Sequence, residues 1–491
     1  MLDGVQQVLR RGLFHSARAC YPGPVRLCLG TIGLLLVASA THGAAPRPLS
    51  RRFLFGVATS GYQSEGGETN TNWNAWEAAH ADTLEPVGRA VDFYDRYRQD
   101  IALAAHMGLN AFRFGIEWAR VEPQPGEFDA AAIDHYRRVL REVRKRHLEP
   151  LVTLNHFTWP QWLEEQARAA GAPSAWEYPP SADAFVSYVR AMVQALGKDI
   201  RYYLVFNEPN ALLFSGYVFA AYPPGISGDL FAASGQRAFY RAFCTVLAAH
   251  AAAYDAIHAL DADAQVSSNL ALIAFHGAAG DLQDNFAVLP DWANNEFFFD
   301  ALAGQAAPFK IGETCSQLYA DQPLPAAAVS AGAKQDYLSF DYYYSFPQVP
   351  DVTTIGTVWV LPIYPTGLLD ALRKYHARYP DVPILIPENG IGTENGMPRA
   401  DGWTREAVLV QHVAEVQAAV AEGIPVLGYF HWSLTDNYEW GSYTPRFGLY
   451  RVEARTDPKL IRHPTPAVGV FRQIARHRGV TGGLLRRYPS R

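Results

Sequence analysis

The sequence is poor in sulfur-containing residues, with four cysteines and four methionines among 491 residues. Cys20 and Cys28 lie near the amino terminus, and Cys244 and Cys315 lie far apart in the remainder of the chain. No cysteine pair therefore has the spacing of a metal-binding motif. We expect Cys244 and Cys315 to be buried free thiols, with a single disulfide as the alternative if the protein is exported.

Concentrated positive charge is also absent, because no run of lysine and arginine occurs and the formal net charge is −6. Phosphate backbones are bound by dense basic surfaces, so a nucleic-acid partner is excluded. The glycine-rich segment GVATSGYQSEGG lacks the G-x-G-x-x-G spacing of a dinucleotide-binding loop. This disfavours an open-sheet oxidoreductase, which is the weakest of the functional alternatives.

One apolar run stands out near the amino terminus, where residues 27–40 follow four arginines. It ends in Ala38-Ser39-Ala40, which has the small-x-small pattern of a signal cleavage site. The run is short for a permanent membrane span. We therefore expect residues 1–44 to be a signal segment of an exported protein, periplasmic or secreted. An uncleaved leader that anchors the protein in a membrane is the alternative.

Short apolar, β-rich runs alternate with longer helical patterns between residues 50 and 478. The six long helical patterns are 92–107, 131–146, 182–196, 235–260, 367–379 and 405–422. The predicted strands are 53–58, 111–116, 150–155, 202–207, 265–270, 337–343, 384–388 and 426–432. Eight such units predict an α/β fold, a single (β/α)8 TIM barrel with enlarged βα loops. A doubly wound open sheet is the rival architecture. Residues 479–491 are predicted to form a C-terminal tail.

Polar residues recur where these predicted strands end, and the carboxyl ends of barrel strands share one face. They are Arg113, Asn155, His156, Asn207, Glu208, Asp341, Tyr343, Glu388, Asn389, His431 and Trp432. Such a residue at one strand end is usually a loop cap, but recurrence at six ends indicates a site. Glu208 and Glu388 could supply the two carboxyl groups that glycoside hydrolysis requires.

Six ordered motifs between residues 53 and 474 resemble glycoside hydrolase family 1, the β-glucosidase-like enzymes. The motifs are FLFGVATSGYQSEGG, AFRFGIEWAR, LVTLNHFTWPQWL, VFNEP, IPENG and GYFHWSLTDNYEWGSYTPRFGLYRV. The resemblance implies that Glu208 is the acid/base and Glu388 the nucleophile. It also implies that Arg113 and Tyr343 hold the nucleophile as a carboxylate, since a cation and a donated hydrogen bond both lower the pKa of a carboxyl group.

The same resemblance implies a set of sugar-binding residues. Trp432 would stack on the apolar face of the sugar ring. Hydrogen bonds to the sugar hydroxyls are implied for Gln63, His156, Asn207, Glu439 and Trp440.

Four positions bear on the substrate. Glu439 and Pro445 stand where phosphosugar enzymes of the family carry serine and lysine, which implies a free 6-hydroxyl. Plant thioglucosidases of the family carry glutamine at the position of Glu208. The glutamate in this chain therefore implies O-glycoside substrates. Asp341 replaces the usual asparagine and could alter the hydrogen bonding around Tyr343.

The sequence therefore predicts an exo-acting retaining β-glycosidase, with β-glucosidase favoured and β-galactosidase or β-fucosidase activity tolerated. No metal or organic cofactor is implied, and the expected partner is a β-glycoside substrate. The alternative is a catalytically silent sugar-binding module of the same fold. The sequence specifies neither the aglycone nor the oligomeric state.

Overall fold

Eight parallel strands close into a barrel in the computed structural model, which describes residues 46–227, 233–275, 297–303, 315, 333–346 and 357–491. The barrel strands are β1 Leu54–Ala58, β2 Ala111–Gly115, β3 Glu149–Asn155, β4 Tyr202–Asn207, β5 Gln265–Phe275, β6 Leu338–Phe346, β7 Ile384–Ile386 and β9 Val426–Trp432. Pairing of β1 with β9 closes the sheet. The (β/α)8 barrel is confirmed and the open sheet is excluded.

Six of the eight strands differ from their predicted limits, and one of these differences bears on the site. Strand β7 ends at Ile386, whereas the sequence predicted that it continues to Glu388. Pro387 follows it and has no backbone N–H to donate to a sheet ladder, so regular pairing stops there. Glu388 consequently lies just beyond the strand, where its backbone carbonyl accepts a hydrogen bond from the Tyr342 N–H at 3.2 Å.

The six long helical patterns of the sequence are helices in the structure, with ends within two residues of prediction. They are Phe93–His106, Ala130–Lys145, Pro180–Leu196, Ala233–Leu260, Thr366–Arg378 and Arg405–Ala421. Shorter helices are Gly61–Glu65, Asn72–Ala79, Trp118–Val121, Gln161–Ala169, Pro209–Tyr217, Phe297–Leu302, Pro466–His477 and Gly482–Arg487. The Asp129 carboxylate caps the helix Ala130–Lys145 by accepting from the Ala131 N–H at 2.7 Å, which satisfies one free donor of the first turn.

Apolar side chains from the barrel strands form a buried cluster of their own. Its members are Leu54, Ala111, Leu151, Leu204, Tyr337, Leu385 and Phe430. Gly56 on β1 makes room for the Phe430 ring, since a Cβ atom at that position would lie 2.3 Å from the ring. This part of the barrel interior is thus a packed apolar core.

Two small antiparallel pairs organise the loops after the last strands. Strand β8 (Thr393–Glu394) pairs with β10 (Pro445–Arg446), and β11 (Tyr450–Arg451) pairs with β12 (His463–Pro464). The segment between β9 and β10 contains Glu439 and Trp440. Barrel pairing of β9 fixes one end of that segment, and the β8–β10 pair fixes the other.

Cys244 and Cys315 form a disulfide with an S–S distance of 2.02 Å. The expectation of two free thiols was wrong, and the alternative of a single bridge is confirmed. Cys244 lies in the helix Ala233–Leu260, which contains a stretch long and apolar enough to cross a membrane. Most of that stretch is buried inside the protein, as in the core helix of a globular domain.

The predicted signal segment, residues 1–44, lies outside the described residues. Part of the predicted C-terminal tail is a helix, Gly482–Arg487, and it is attached to the domain. The Gln411 amide donates to the Tyr488 carbonyl at 2.5 Å, and the Val480 N–H donates to the Gln417 side chain at 2.6 Å.

Candidate active site

The four predicted catalytic residues come together at the carboxyl face of the barrel. Arg113 lies on β2 and Tyr343 on β6, while Glu208 follows β4 and Glu388 follows β7. Their strands are separated in the sequence, and barrel closure brings their side chains together.

Glu388 is held by two donors. The Arg113 guanidinium lies 2.5 Å from its Oε1 atom, and the Tyr343 hydroxyl donates to its Oε2 atom at 2.7 Å. Burial raises the pKa of Glu388, while the charge of Arg113 and the hydrogen bond from Tyr343 oppose that rise. Burial and the neighbouring carboxylates also raise the pKa of Tyr343, so its hydroxyl keeps its proton and remains a donor.

Glu208 occupies a different environment. Its backbone is left-handed, with φ of 43°, and its N–H donates to the Asn269 carbonyl at 2.8 Å. Few residues other than glycine adopt this conformation, and it re-aims the side chain at the start of the helix Pro209–Tyr217. Burial, followed by the charge of Glu388, raises the pKa of Glu208 to about 8.

The two carboxyl groups are close neighbours. Oxygen atoms of Glu208, Glu388 and Asp341 all lie within 4.8 Å of one another. Carboxyl groups about 5 to 5.5 Å apart are typical of glycosidases that retain anomeric configuration, whereas inverting enzymes need a wider gap for water. The environments also divide the roles, because Glu388 has a cationic partner, whereas none of the described residues places a cation in direct contact with Glu208.

Asn207 links this pair to its surroundings. Its Oδ1 atom accepts from Arg113 and from the Asn269 amide, each at 2.7 Å. Asn269 also donates to Asp341, and Arg113 donates through Nε to the Thr153 hydroxyl at 2.9 Å. The sequence prediction missed Asn269 and Thr153. Asn269 directly follows Ser267 and Ser268 in the fifth strand, so no local pattern distinguishes it.

Three predicted sugar-binding residues form one hydrogen-bonded group. The Gln63 amide donates to Glu439 Oε2 at 3.1 Å, and the Trp432 indole donates to Glu439 Oε1 at 3.2 Å. The Ser60 hydroxyl donates to the Gln63 carbonyl oxygen at 2.8 Å, which fixes the orientation of that amide. Burial raises the pKa of Glu439 well above its usual range.

The remaining predicted binding residues lie beside this group. The imidazole of His156 is nearly parallel to the rings of Trp432 and Trp440, at centroid distances of 5.7 and 5.9 Å. Its Nε2 atom lies 3.4 Å from the Asn207 amide. Burial and the charge of Arg113 lower the pKa of His156 well below its usual range, so the imidazole is neutral. Trp440 also packs against Trp73 at 4.7 Å.

Among the described residues, one group of three carboxyl groups is close enough together to hold a metal ion. Its members are Glu208, Asp341 and Glu388. Arg113 already forms an ion pair with Glu388 at 2.5 Å. A bound cation would have to compete with this guanidinium, so the arrangement favours proton transfer and covalent chemistry over metal binding.

A closed parallel barrel with two adjacent, differently buried carboxyl groups at its carboxyl face defines a glycosidase. The chain belongs to glycosyl hydrolase family 1, whose family model matches residues 46–347 and 315–480. It is accordingly an enzyme that acts on O-glycosyl bonds, and the family resemblance found in the sequence is confirmed.

Named relatives cover most of the chain. A 6-phospho-β-galactosidase of Clostridium acetobutylicum is 27% identical, covering 84% of this chain and 94% of its own. β-Glucosidase 47 of Arabidopsis thaliana is 27% identical, covering 84% and 82%. The solved structure of a β-glycosidase from Pyrococcus horikoshii is 29% identical, with a TM-score of 0.74 over 91% of this chain and 99% of its own.

Proposed function

We propose that this enzyme is an exo-acting retaining β-glucosidase that hydrolyses non-phosphorylated β-O-glycosides. The observation that carries the proposal is the pairing of Glu388, clamped by Arg113 and Tyr343, with a Glu208 carboxyl whose oxygen lies within 4.8 Å. This arrangement supports one ionised carboxylate and one protonated carboxyl in the same site.

In the first step, a Glu388 oxygen attacks the anomeric carbon while Glu208 gives its proton to the glycosidic oxygen. The carbon–oxygen bond to the aglycone breaks, the aglycone leaves as an alcohol, and the sugar is esterified to Glu388. In the second step, Glu208 takes a proton from water as that water attacks the same carbon, and the ester bond to Glu388 breaks to release the carboxylate. The sugar leaves with its β configuration, and both carboxyl groups return to their starting states.

The Gln63–Glu439–Trp432 group supports a substrate with free hydroxyls. The Glu439 carboxylate can accept hydrogen bonds from two sugar hydroxyls, and Gln63 and Trp432 hold it in place. A phosphate group at the same place would face a buried carboxyl group, which disfavours a second negative charge. The relatives include a 6-phospho-β-galactosidase and a β-glucosidase. Between these two activities, the Gln63–Glu439–Trp432 group supports the β-glucosidase.

Two further residues support transition-state binding. Asn207 adjoins Glu208 and is held by Arg113 and Asn269, so its amide can contact the 2-hydroxyl. Hydrogen bonds to that hydroxyl strengthen as the ring gains positive charge. The face of Trp432 offers a stacking surface for the apolar side of the sugar.

Hydrolysis of a matched panel tests the proposal. The panel contains 4-nitrophenyl β-glucoside, β-galactoside and β-fucoside together with the 6-phosphates of the first two. We expect the highest kcat/KM for the β-glucoside and negligible hydrolysis of the phosphates. Preference for a 6-phosphate would overturn the substrate assignment, and failure to cleave any member would favour the silent sugar-binding module.

We also propose that the enzyme is exported. The arginine-bearing leader with its apolar run at residues 27–40 supports this location. The Cys244–Cys315 disulfide supports it independently, since such bridges persist mainly in oxidising compartments.

A further inference from the structure

A third carboxyl group lies in the site beside the two that the mechanism uses. Asp341 on β6 is 1% exposed, and one of its oxygens lies within 4.8 Å of oxygens of both Glu208 and Glu388. Retaining glycoside hydrolysis needs only two carboxyl groups. The role of Asp341 is therefore not accounted for by the mechanism above.

Among the residues that the structure describes, no cationic side chain forms a hydrogen bond or ion pair with Asp341. Its Oδ2 atom accepts from the neutral Asn269 amide, and among the described residues Oδ1 has no hydrogen-bond partner. The donors of Arg113 are directed to Glu388, Asn207 and Thr153. The guanidinium thus compensates Glu388 first.

Asp341 faces charged or titratable groups on four elements. These groups are Glu208 after β4, Glu388 after β7, Arg113 on β2 and Tyr343 on its own strand β6. Three ionised carboxylates and one guanidinium would leave a net charge of −2 in a buried cavity. Like charges at such distances resist joint ionisation, so the cluster retains at least one proton. Because Arg113 and Tyr343 favour the anionic form of Glu388, the retained proton belongs to Glu208 and Asp341.

We propose that Asp341 is a positioning residue that shares the catalytic proton with Glu208, so that the two carboxyl groups act as one acid. This inference rests on the proposed roles of Glu208 and Glu388. As the proton passes from Glu208 to the glycosidic oxygen, the pair gains one negative charge. Glu388 loses one negative charge in the same step, because its oxygen forms the ester bond to the sugar. The total carboxylate charge of the site is therefore unchanged by the first step.

The shared proton has a consequence for pH dependence. Two interacting carboxyl groups lose their last proton at a higher pH than one would, as in other coupled pairs. Burial and the charges of Glu388 and Glu208 raise the pKa of Asp341 well above its usual range. In the acidic range, where Glu388 takes up its proton, Asp341 is already neutral. Asp341 should therefore affect the basic limb of the pH profile and leave the acidic limb in place.

The experiment compares kcat/KM against pH for the wild type and Asp341→Asn, using phenyl β-glucoside. Asparagine keeps the shape and can donate a hydrogen bond, but it cannot hold the proton. We expect the basic limb to move to lower pH by about one unit, with the acidic limb unchanged. The matched control is Asp336→Asn, just before the amino end of β6, where the carboxylate bonds with Tyr254 and His258. Its profile should coincide with that of the wild type.

A second substrate separates proton sharing from a structural effect. A 2,4-dinitrophenyl β-glucoside needs little protonation, so its kcat/KM should be nearly insensitive to Asp341→Asn in the basic range. If Asp341→Asn folds poorly, Asp341→Ser supplies the same comparison. If the basic limb with phenyl glucoside does not move, or if kcat/KM falls equally with both substrates, the inference is wrong while the proposed function stands. A wild type that cleaves neither glucoside would instead contradict the proposed function.

Discussion

Each catalytic carboxyl group owes its proposed role to its immediate neighbours. Arg113 and Tyr343 contact Glu388. Burial and the charge of Glu388 raise the pKa of Glu208. The same residue type thus serves as nucleophile in one place and acid in the other, because the surroundings push the two pKa values apart.

Removal of the Tyr343 hydroxyl should weaken the nucleophile. Tyr343→Phe removes the donor to Glu388 Oε2, and a hydrogen bond to a charged group corresponds to a fall in kcat of about 10- to 100-fold. Losing that donor raises the pKa of Glu388, so the acidic limb of the pH profile should move to higher pH. Steady-state kinetics over pH measures both effects.

The neighbouring Tyr344→Phe is the matched control, since the Tyr344 hydroxyl bonds with the Gly392 N–H and not with Glu388. Its acidic limb should stay where the wild type has it. An acidic limb that Tyr343→Phe leaves unmoved would contradict the proposed contact with the nucleophile.

Removal of the acid should discriminate between leaving groups. For Glu208→Ala we expect kcat/KM for phenyl β-glucoside to fall by about 10² to 10⁴-fold, the usual contribution of general acid catalysis. The dinitrophenyl glucoside should be cleaved far better, and its glycosyl-enzyme should accumulate. Added azide should restore turnover by attacking the ester, with glucosyl azide as product. If azide leaves the variant unchanged, Glu208 is not the acid/base.

Sequence reasoning reached most of these residues but not their connections. Glu208, Glu388, Arg113 and Tyr343 stand at predicted strand ends in recognisable motifs, and the structure brings them together. Asn269 was missed because its importance comes from bridging Asn207 and Asp341, which are distant in the chain. Pairwise hydrogen bonds of this kind depend on barrel register and have no local sequence pattern.

At the scale of elements, strand positions were predictable because buried parallel strands are mostly apolar runs. Two of the eight have the predicted limits, Tyr202–Asn207 and Val426–Trp432. The short helices Gly61–Glu65 and Pro209–Tyr217 were not predicted. They lie in βα loops, where a few residues give too little periodicity to identify a helix.

The Cys244–Cys315 disulfide should stabilise the fold without affecting catalysis. We expect the double variant Cys244→Ala, Cys315→Ala to lower the free energy of unfolding by about 2 to 4 kcal/mol, as the loss of a bridge over a long loop predicts. Its kcat should match that of the wild type, since neither cysteine contacts the site residues described above. Dithiothreitol should reduce the Tm of the wild type similarly and leave the variant unaffected. Equal stability with and without dithiothreitol would show that the bridge contributes nothing.

At the scale of the whole molecule, barrel closure brings together site residues that lie on or after all eight barrel strands. Fold class followed from alternation alone, whereas the choice among sugars depends on a few side chains such as Glu439. The pairing of Cys244 with Cys315 could not be decided from spacing, since it requires knowing which helices and loops meet.

Export predicts a processed chain. N-terminal sequencing of the protein recovered from outside the cytoplasm should begin near Thr41, directly after the predicted cleavage site. An intact leader on a membrane-bound product would favour the anchored alternative and exclude cleavage there.

Trapping of the covalent intermediate tests the central claim most directly. A 2-deoxy-2-fluoro β-glucoside with a dinitrophenyl leaving group should inactivate the enzyme, because fluorine destabilises the transition states and the ester persists. Peptide mapping by mass spectrometry should find one sugar per chain, attached to Glu388. The double-displacement mechanism would be contradicted if the sugar were attached to any other residue. It would also be contradicted if the enzyme released the α-anomer and formed no covalent adduct.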